Sequence, residues 1–336
     1  MILVGFRGLE LSESDLIVHE IKAGSIGGVI LFDRDVSLGK DERNIQSPEQ
    51  VTNLTKALQS FSSVPLIISI DQEGGLVNRL KEKYGFPESV TQQFLGSSNN
   101  KQLTSDHAFV TAKTLSEIGI NLNHSPCVDL NTNPSNPVIG MKERSFSADP
   151  SMVTELAGLV IDEHRANRVA TTLKHFPGHG SSSGDSHLGF VDVSETWIEE
   201  ELIPYRELIA LNLADMIMTA HIYNSKLDEK YPATLSAKVI NGLLRDQLGW
   251  DGVVISDDMQ MKAISDHYSL SESVELAINA GVDILVFGNN VSYDADISLK
   301  VNHVILELVS EGKIPESRIE ESFKRIMNFK NKYLIN

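Results

Sequence analysis

The chain has 336 residues, of which 41% are hydrophobic and 22% charged, with a formal charge of −17 and a single cysteine, Cys127. This length can bury an ample core without staples, and one Cys excludes an internal disulfide or a cysteine-based metal cage. The carboxylate excess argues against nucleic acid or an anionic membrane as partner, and no apolar run approaches the ~20 residues of a membrane helix.

Met1-Ile2-Leu3-Val4 shows no basic segment ahead of an apolar one. The expected location is therefore cytoplasmic, although a chain trimmed of a leader would begin alike. Ile2–Val4 reads as a first strand, and Ser12-x-x-Asp15 as the cap of a helix that Gly24 stops. Gly28–Phe32 is a second strand. Ser47-Pro48-x-Gln50 opens a helix, with Pro at its first position and Gln able to reach back to the cap. Leu66–Ile70 is a third strand, with Asp71-Gln72-Glu73-Gly74-Gly75 at its end.

Ser105 is the expected cap of the next helix, to about Ile118, and Asn121–His124 reads as a weak fourth strand. The long connection from Ser125 to Phe146 holds Asp129, Asn131, Lys142 and Arg144. A helix starts at Asp149-Pro150. Ala170–Leu173 is the fifth strand, and from it hangs Lys174-His175-Phe176-Pro177-Gly178-His179-Gly180, then Ser181-Ser182-Ser183-Gly184-Asp185-Ser186-His187. Pro and Gly rule out a continuing helix or strand there, so imidazoles, an ammonium and a carboxylate gather on one shaped loop.

Helical patterns cover Glu195 to Leu211 and follow Ser236 and Ser269-x-x-Glu272, the last closed by Gly281. Strands six to eight are Met216–Thr219, Val253–Ile255 and Ile284–Phe287, ending at Ala220-His221, Ser256-Asp257-Asp258 and Gly288. Two more helices finish the chain, the last with Ile319, Phe323, Ile326 and Met327 on one face. Eight strand–helix units without a composition break predict a single (β/α)8 barrel domain over 1–336. A doubly wound sheet would show a Gly-rich phosphate loop early, and Gly5-Phe6-Arg7-Gly8 lacks its spacing.

Active sites of such barrels lie at the C-terminal ends of the strands. Asp71, Lys174, His175, His221, Asp257 and Asp258 all fall at such ends, so one pocket is expected to hold them. Three chemistries fit. In a double displacement, Asp257 attacks carbon, kept ionised by Lys174 and Arg79, while a second group moves the proton; Asp258 is then a structural neighbour. Asp185-x-His187 suits the second group, because a carboxylate two residues away can orient an imidazole. A metal-dependent hydrolase would use His175, His179, Asp185 and His187, but Pro177 and Gly178 spoil the helical spacing that His-x3-His needs. A sugar-binding module without catalysis needs no such Asp and His.

With these residues assembled, the chain resembles glycoside hydrolase family 3, specifically its single-domain β-N-acetylglucosaminidases. The likeness runs through Gly28–Phe32, Asp71–Gly75, Lys174–Gly180, Asp185–His187, Met218–His221, Pro232–Ser236 and Ser256–Asp258. It implies that Asp257 is the nucleophile of a retaining, exo-acting enzyme, with His187 as acid/base and Asp185 as its partner. It implies that Asp71, Arg79, Arg144, Lys174 and His175 bind the sugar, and that no metal or other cofactor is needed. The substrate implied is a terminal β-linked N-acetylglucosamine on oligosaccharides or muropeptides, in cell-wall recycling. Phosphorolysis and broader β-glycosidase specificity stay open. Where the family often has Arg after the Gly-Gly pair, this chain has Leu76.

Overall fold

The computed structural model describes residues 1–335. Strands β1 (Ile2–Gly5), β2 (Gly28–Leu31), β3 (Ile67–Ile70), β4 (Leu122–Asn123), β5 (Ala170–Phe176), β6 (Met216–Thr219), β7 (Val253–Asp258) and β8 (Ile284–Phe287) form a closed parallel barrel in chain order. β8 closes it by pairing with β1, Leu3 opposite Val286. The strands are short and nearly uniformly apolar because both of their faces are covered. Leu3, Ile30, Ile67, Leu122, Met216, Ile255 and Ile284 point into the barrel and pack on one another. Their neighbours Val4, Val29, Leu31, Ile68, Ile217 and Val254 point outward to the helices, as the two-residue period of a strand requires.

Several helix starts follow from local chemistry. Ser47 accepts the Gln50 N–H at 3.1 Å, and Gln50 reaches back to the Gln46 N–H at 2.9 Å, one residue before the cap. Asp149 and Ser269 cap their helices likewise. Other expectations are corrected. Ser105 lies inside a helix, Lys101–Glu117, that Asn100 caps. Asp15, not Ser12, is the cap of Leu16–Ala23, its carboxylate holding the Ser12 N–H. Phe323 is 62% exposed, and the last helix, Glu316–Tyr333, instead buries Ser322, Ile326, Phe329 and Lys330. Among the described residues, no helix is long and apolar enough to cross a membrane.

The difference that matters most for the site is in β5. It continues to Phe176, so Lys174 and His175 stand on the strand rather than on the loop after it. The Cys127–Asp129 segment runs beside this extension, with the Val128 N–H donating to the Lys174 carbonyl at 2.8 Å. The turn that follows is packed, not loose. A Cβ on Gly180 would fall 1.7 Å from the Leu130 carbonyl oxygen, and Gly178 has φ +117° with Glu201 2.6 Å from where a Cβ would be.

Candidate active site

The C-terminal ends of β3, β5, β6 and β7 open into a cavity of about 230 Å³. Asp71, Arg79, Arg144, Lys174, His175, Asp185, His187 and Asp257 all line it, whereas His221 and Asp258, expected in the same pocket, stand behind its wall. Lys174 is buried and donates to Asp71 at 2.8 Å, and it lies 2.6 Å from Glu73. Glu73 in turn grips Arg144 with both oxygens, at 2.7 and 2.8 Å. Burial opposes ionisation of Glu73, but Arg144 and Lys174 outweigh it and hold the carboxyl at about 2. Burial likewise opposes the charge on Lys174, and Asp71 and Glu73 overcome it, so the ammonium is kept.

Arg144 also donates to His175 Nε2 at 3.1 Å. A guanidinium can only donate, so Nε2 accepts and Nδ1 carries the ring proton, which goes to Asp129 at 2.6 Å. Asp129 accepts further from the His175 and His179 backbone N–H groups and from the Cys127 thiol. It is buried, yet its carboxyl lies well below the usual range because His175 and these donors offset burial. Glu73 and Asp129 are thus the two carboxylates behind Lys174, Arg144 and His175. The sequence singled out Asp129 without a role and Glu73 only as a member of the Asp71–Gly75 segment.

Asp257 is partly buried at the end of β7. Burial would raise its carboxyl, but the imidazoles of His221, His175 and His187 and the Asp258 N–H bring it below the usual value. The expected cations do not do this: Lys174 is committed to Asp71 and Glu73, and Arg79 to Asp71 at 3.9 Å. Asp258 behaves as a structural group. It accepts from the Gln260 and Gly288 N–H groups, and burial pushes its carboxyl up to about 6. His221 is held by Thr234 and by the Asp258 carbonyl.

On the loop after β5, Asp185 Oδ1 lies 2.8 Å from His187 Nδ1 and accepts the His187 N–H at 2.9 Å. One carboxylate therefore fixes both ring and backbone, and leaves Nε2 of a side chain that is 48% exposed directed elsewhere. His179 does not share this role: its nitrogens are taken by Ser182 and Ser186, and burial lowers it to about 4. For a metal, the ligand-type atoms that converge among the described residues are those of Cys127, Asp129 and His175, within 4.8 Å. Asp129 is already filled by four donors, and burial pushes the Cys127 thiol well up, so this trio is a hydrogen-bonded support rather than a formed metal cage.

The pattern that defines the glycosyl hydrolase family 3 N terminal domain matches residues 4–329. The chain belongs to glycosyl hydrolase family 3. This family 3 chain is 35% identical to beta-hexosaminidase A of Pseudoalteromonas piscicida over 331 residues, 91% of this chain and 53% of that protein. It is 34% identical to a beta-hexosaminidase of Tolumonas auensis, covering 86% of this chain and 83% of that one. Among solved structures, a family 3 beta-N-acetylglucosaminidase from a Paenibacillus species superposes with a TM-score of 0.89 at 36% identity, covering 99% of this chain and 61% of that one. Beta-N-acetylhexosaminidase from Beutenbergia cavernae gives 0.86 at 26%, covering 98% and 96%. The chain thus spans about half of the first relative's length and most of that of others.

Proposed function

We propose that the chain is a retaining, exo-acting β-N-acetylglucosaminidase, acting through a covalent glycosyl-Asp257 intermediate on terminal β-linked N-acetylglucosamine, as on cell-wall fragments. The observation that carries this reading is the pairing of two opposite functions in one cavity. Asp257 is kept ionised by imidazoles, and the oriented Asp185–His187 pair leaves one ring nitrogen available.

In the first step, an Asp257 oxygen bonds to the anomeric carbon. The bond to the aglycone oxygen breaks with its electron pair, and the proton on His187 Nε2 passes to that oxygen. In the second, Nε2 takes a proton from water, the water oxygen bonds to the anomeric carbon, and the bond to Asp257 breaks. Two inversions retain the configuration. Asp185 holds the Nδ1 proton throughout, so the ring need not turn between steps. Asp71, Arg79, Arg144, Lys174 and His175 supply hydrogen bonds to the sugar hydroxyls and the acetamido group. Removing a hydroxyl or acetamido partner from such a charged lining leaves buried groups unpaired, so selectivity is steep.

The test compares p-nitrophenyl β-N-acetylglucosaminide with the glucoside, with and without phosphate and a chelator. Preference for the former by ~10²-fold or more in kcat/KM is expected, with no loss to the chelator and several orders of magnitude lost in Asp257→Ala. Equal rates on both glycosides, or a folded Asp257→Ala retaining about a tenth of the rate, would defeat the reading. Acceleration by phosphate, with glycosyl phosphate as product, would replace hydrolysis by phosphorolysis.

A further inference from the structure

Between the two members of the dyad stands Ser186, which has no chemical part in either step. It is 2% exposed, although the His187 side chain beside it is 48% exposed. Its hydroxyl lies 3.2 Å from His179 Nε2, and its carbonyl accepts the Ala263 N–H at 3.2 Å. A buried serine satisfying local partners would be the ordinary account, but both of these holding points are themselves fixed. The His179 N–H donates to Asp129 at 2.7 Å, and the His179 carbonyl accepts from Asn136 at 2.7 Å. Ala263 belongs to the short helix Lys262–Ser265 that follows β7. The Met261 N–H ties that segment to the Asp258 carbonyl at 2.9 Å, so Ser186 is joined to the strand that carries Asp257.

The other nitrogen of His179 gives the sense of the bond. The Ser182 hydroxyl donates to the Gly184 carbonyl at 3.3 Å, so its oxygen accepts from His179 Nδ1 at 2.9 Å. Burial lowers His179 to about 4, so the ring is neutral and Nε2 holds a lone pair. Ser186 therefore donates. The next anchor along the loop is Phe190–Val191. The Phe190 ring packs on Tyr223 and His267, with centroids 5.3 and 5.8 Å away, and the Val191 carbonyl accepts the Tyr223 N–H at 2.8 Å. Between the anchors, Leu188 is 73% exposed, and a Cβ on Gly189 would meet nothing within 4 Å. His187 is thus held from its N-terminal side: Asp185 orients the ring, and Ser186 fixes the backbone from which it projects. We propose that Ser186 is a positioning residue, pinned to His179 and to the segment after β7, that sets the reach of His187 Nε2 to the bond broken opposite Asp257. This rests on the glycosidase reading of the cavity, with His187 as acid/base. Without the Ser186 hydroxyl the imidazole keeps its orienting carboxylate but loses its placement, which costs most where a proton must be delivered.

The experiment compares wild type, Ser186→Ala, His187→Ala and the double variant on the dinitrophenyl and methoxyphenyl β-N-acetylglucosaminides, a good and a poor leaving group. Ser186→Ala should lose about tenfold in kcat/KM on the methoxyphenyl glycoside and less than about twofold on the dinitrophenyl one, whose phenol leaves unprotonated. Its kcat on the dinitrophenyl glycoside, set by the second step, should fall several-fold. The same serine substitution made in His187→Ala should lower that kcat by less than about twofold, because it acts through the imidazole. Equal losses in kcat/KM on both glycosides, no loss on either, or an undiminished loss of kcat in the His187→Ala background would overturn the positioning role and leave the glycosidase standing. If His187→Ala itself showed no dependence on the leaving group, the acid/base reading would fall, and the role of Ser186 with it.

Discussion

The His187 side chain is 48% exposed, against 29% for Asp185 and 2% for Lys174, and its ring is held by the carboxylate two residues before it. In the proposed mechanism this group carries the proton, and the two steps differ in how much they need it. Acidic phenols leave without protonation, whereas water attacks the glycosyl intermediate slowly without a base. His187→Ala should therefore release a burst of phenol from aryl glycosides with good leaving groups, then turn over slowly, and should fail on alkyl glycosides. Asp185→Ala should show a weaker form of the same pattern. Pre-steady-state phenol release across leaving groups of graded acidity checks this; a uniform loss of rate without a burst would exclude His187 from proton transfer. Asp71, Lys174, His175 and Asp257 were legible in the sequence because reactive types crowd at predicted strand ends, and Asp185 and His187 because they share a Pro- and Gly-shaped loop. Arg79 and Arg144, in connections, carried their sugar-binding role only through the family resemblance. Glu73 and Asp129 were not legible, since their work is to neutralise Lys174, Arg144 and His175 from behind. The available signal was a charge count: two cations and an imidazole gathered at one place require buried carboxylates.

The elements were legible where the apolar pattern alone decides them, which covers all eight strands and most helices. They were misread where tertiary contacts overrule the local pattern. β5 runs on through Lys174 and His175 because the Cys127–Asp129 segment pairs with it, a contact that no local propensity announces. The helix at Lys238–Gln247 begins one residue later than expected, with Ala237 at its cap while the Ser236 hydroxyl accepts the Val239 N–H at 3.1 Å. It winds with π-type hydrogen bonding. Beneath the turn after β5 lies Glu201, the last of three consecutive glutamates, Glu199 to Glu201. Glu201 is buried and accepts the Gly180 N–H at 3.0 Å, and burial raises its carboxyl to about 8. Its folded value is above its unfolded one, so the fold binds that proton more tightly. Wild type therefore loses stability as pH rises from about 4.5 towards 8 on account of this group. Glu201→Gln keeps an acceptor for Gly180 but cannot ionise, so this loss disappears. The melting temperature of the variant minus that of wild type should rise between pH 5 and pH 8, by roughly 2–4 °C or more. A difference that stays flat over this range would show that Glu201 is not held neutral in the fold.

At the scale of the whole molecule, the barrel has a catalytic end and a closed end, and the last helix makes the second. Ile326 and Phe329 from Glu316–Tyr333 join the cluster that fills the barrel interior. The same helix is clamped to the starts of β6 and β8. Tyr333 donates to Asp215, which also holds Arg165, and Ser322 and Arg318 donate to Asp283, which further holds Arg245 and the Val254 N–H. Stability and chemistry are thereby placed at opposite ends of one sheet, as barrels of this kind allow. Phe329→Ala would leave a hole in the lowest layer of the barrel, and deleting a buried Phe costs about 3–5 kcal/mol. Phe323, one helical face away and 62% exposed, is the control, since an exposed substitution falls within about ±0.5 kcal/mol. Assayed well below its melting temperature, Phe329→Ala should keep a kcat/KM within about twofold of wild type while unfolding at markedly lower denaturant. Asp257→Ala should do the reverse, keeping the denaturant midpoint and losing the rate. If Phe329→Ala instead lost activity in proportion to stability, the two ends would be coupled through the barrel, and the closed end could not be treated as scaffold alone.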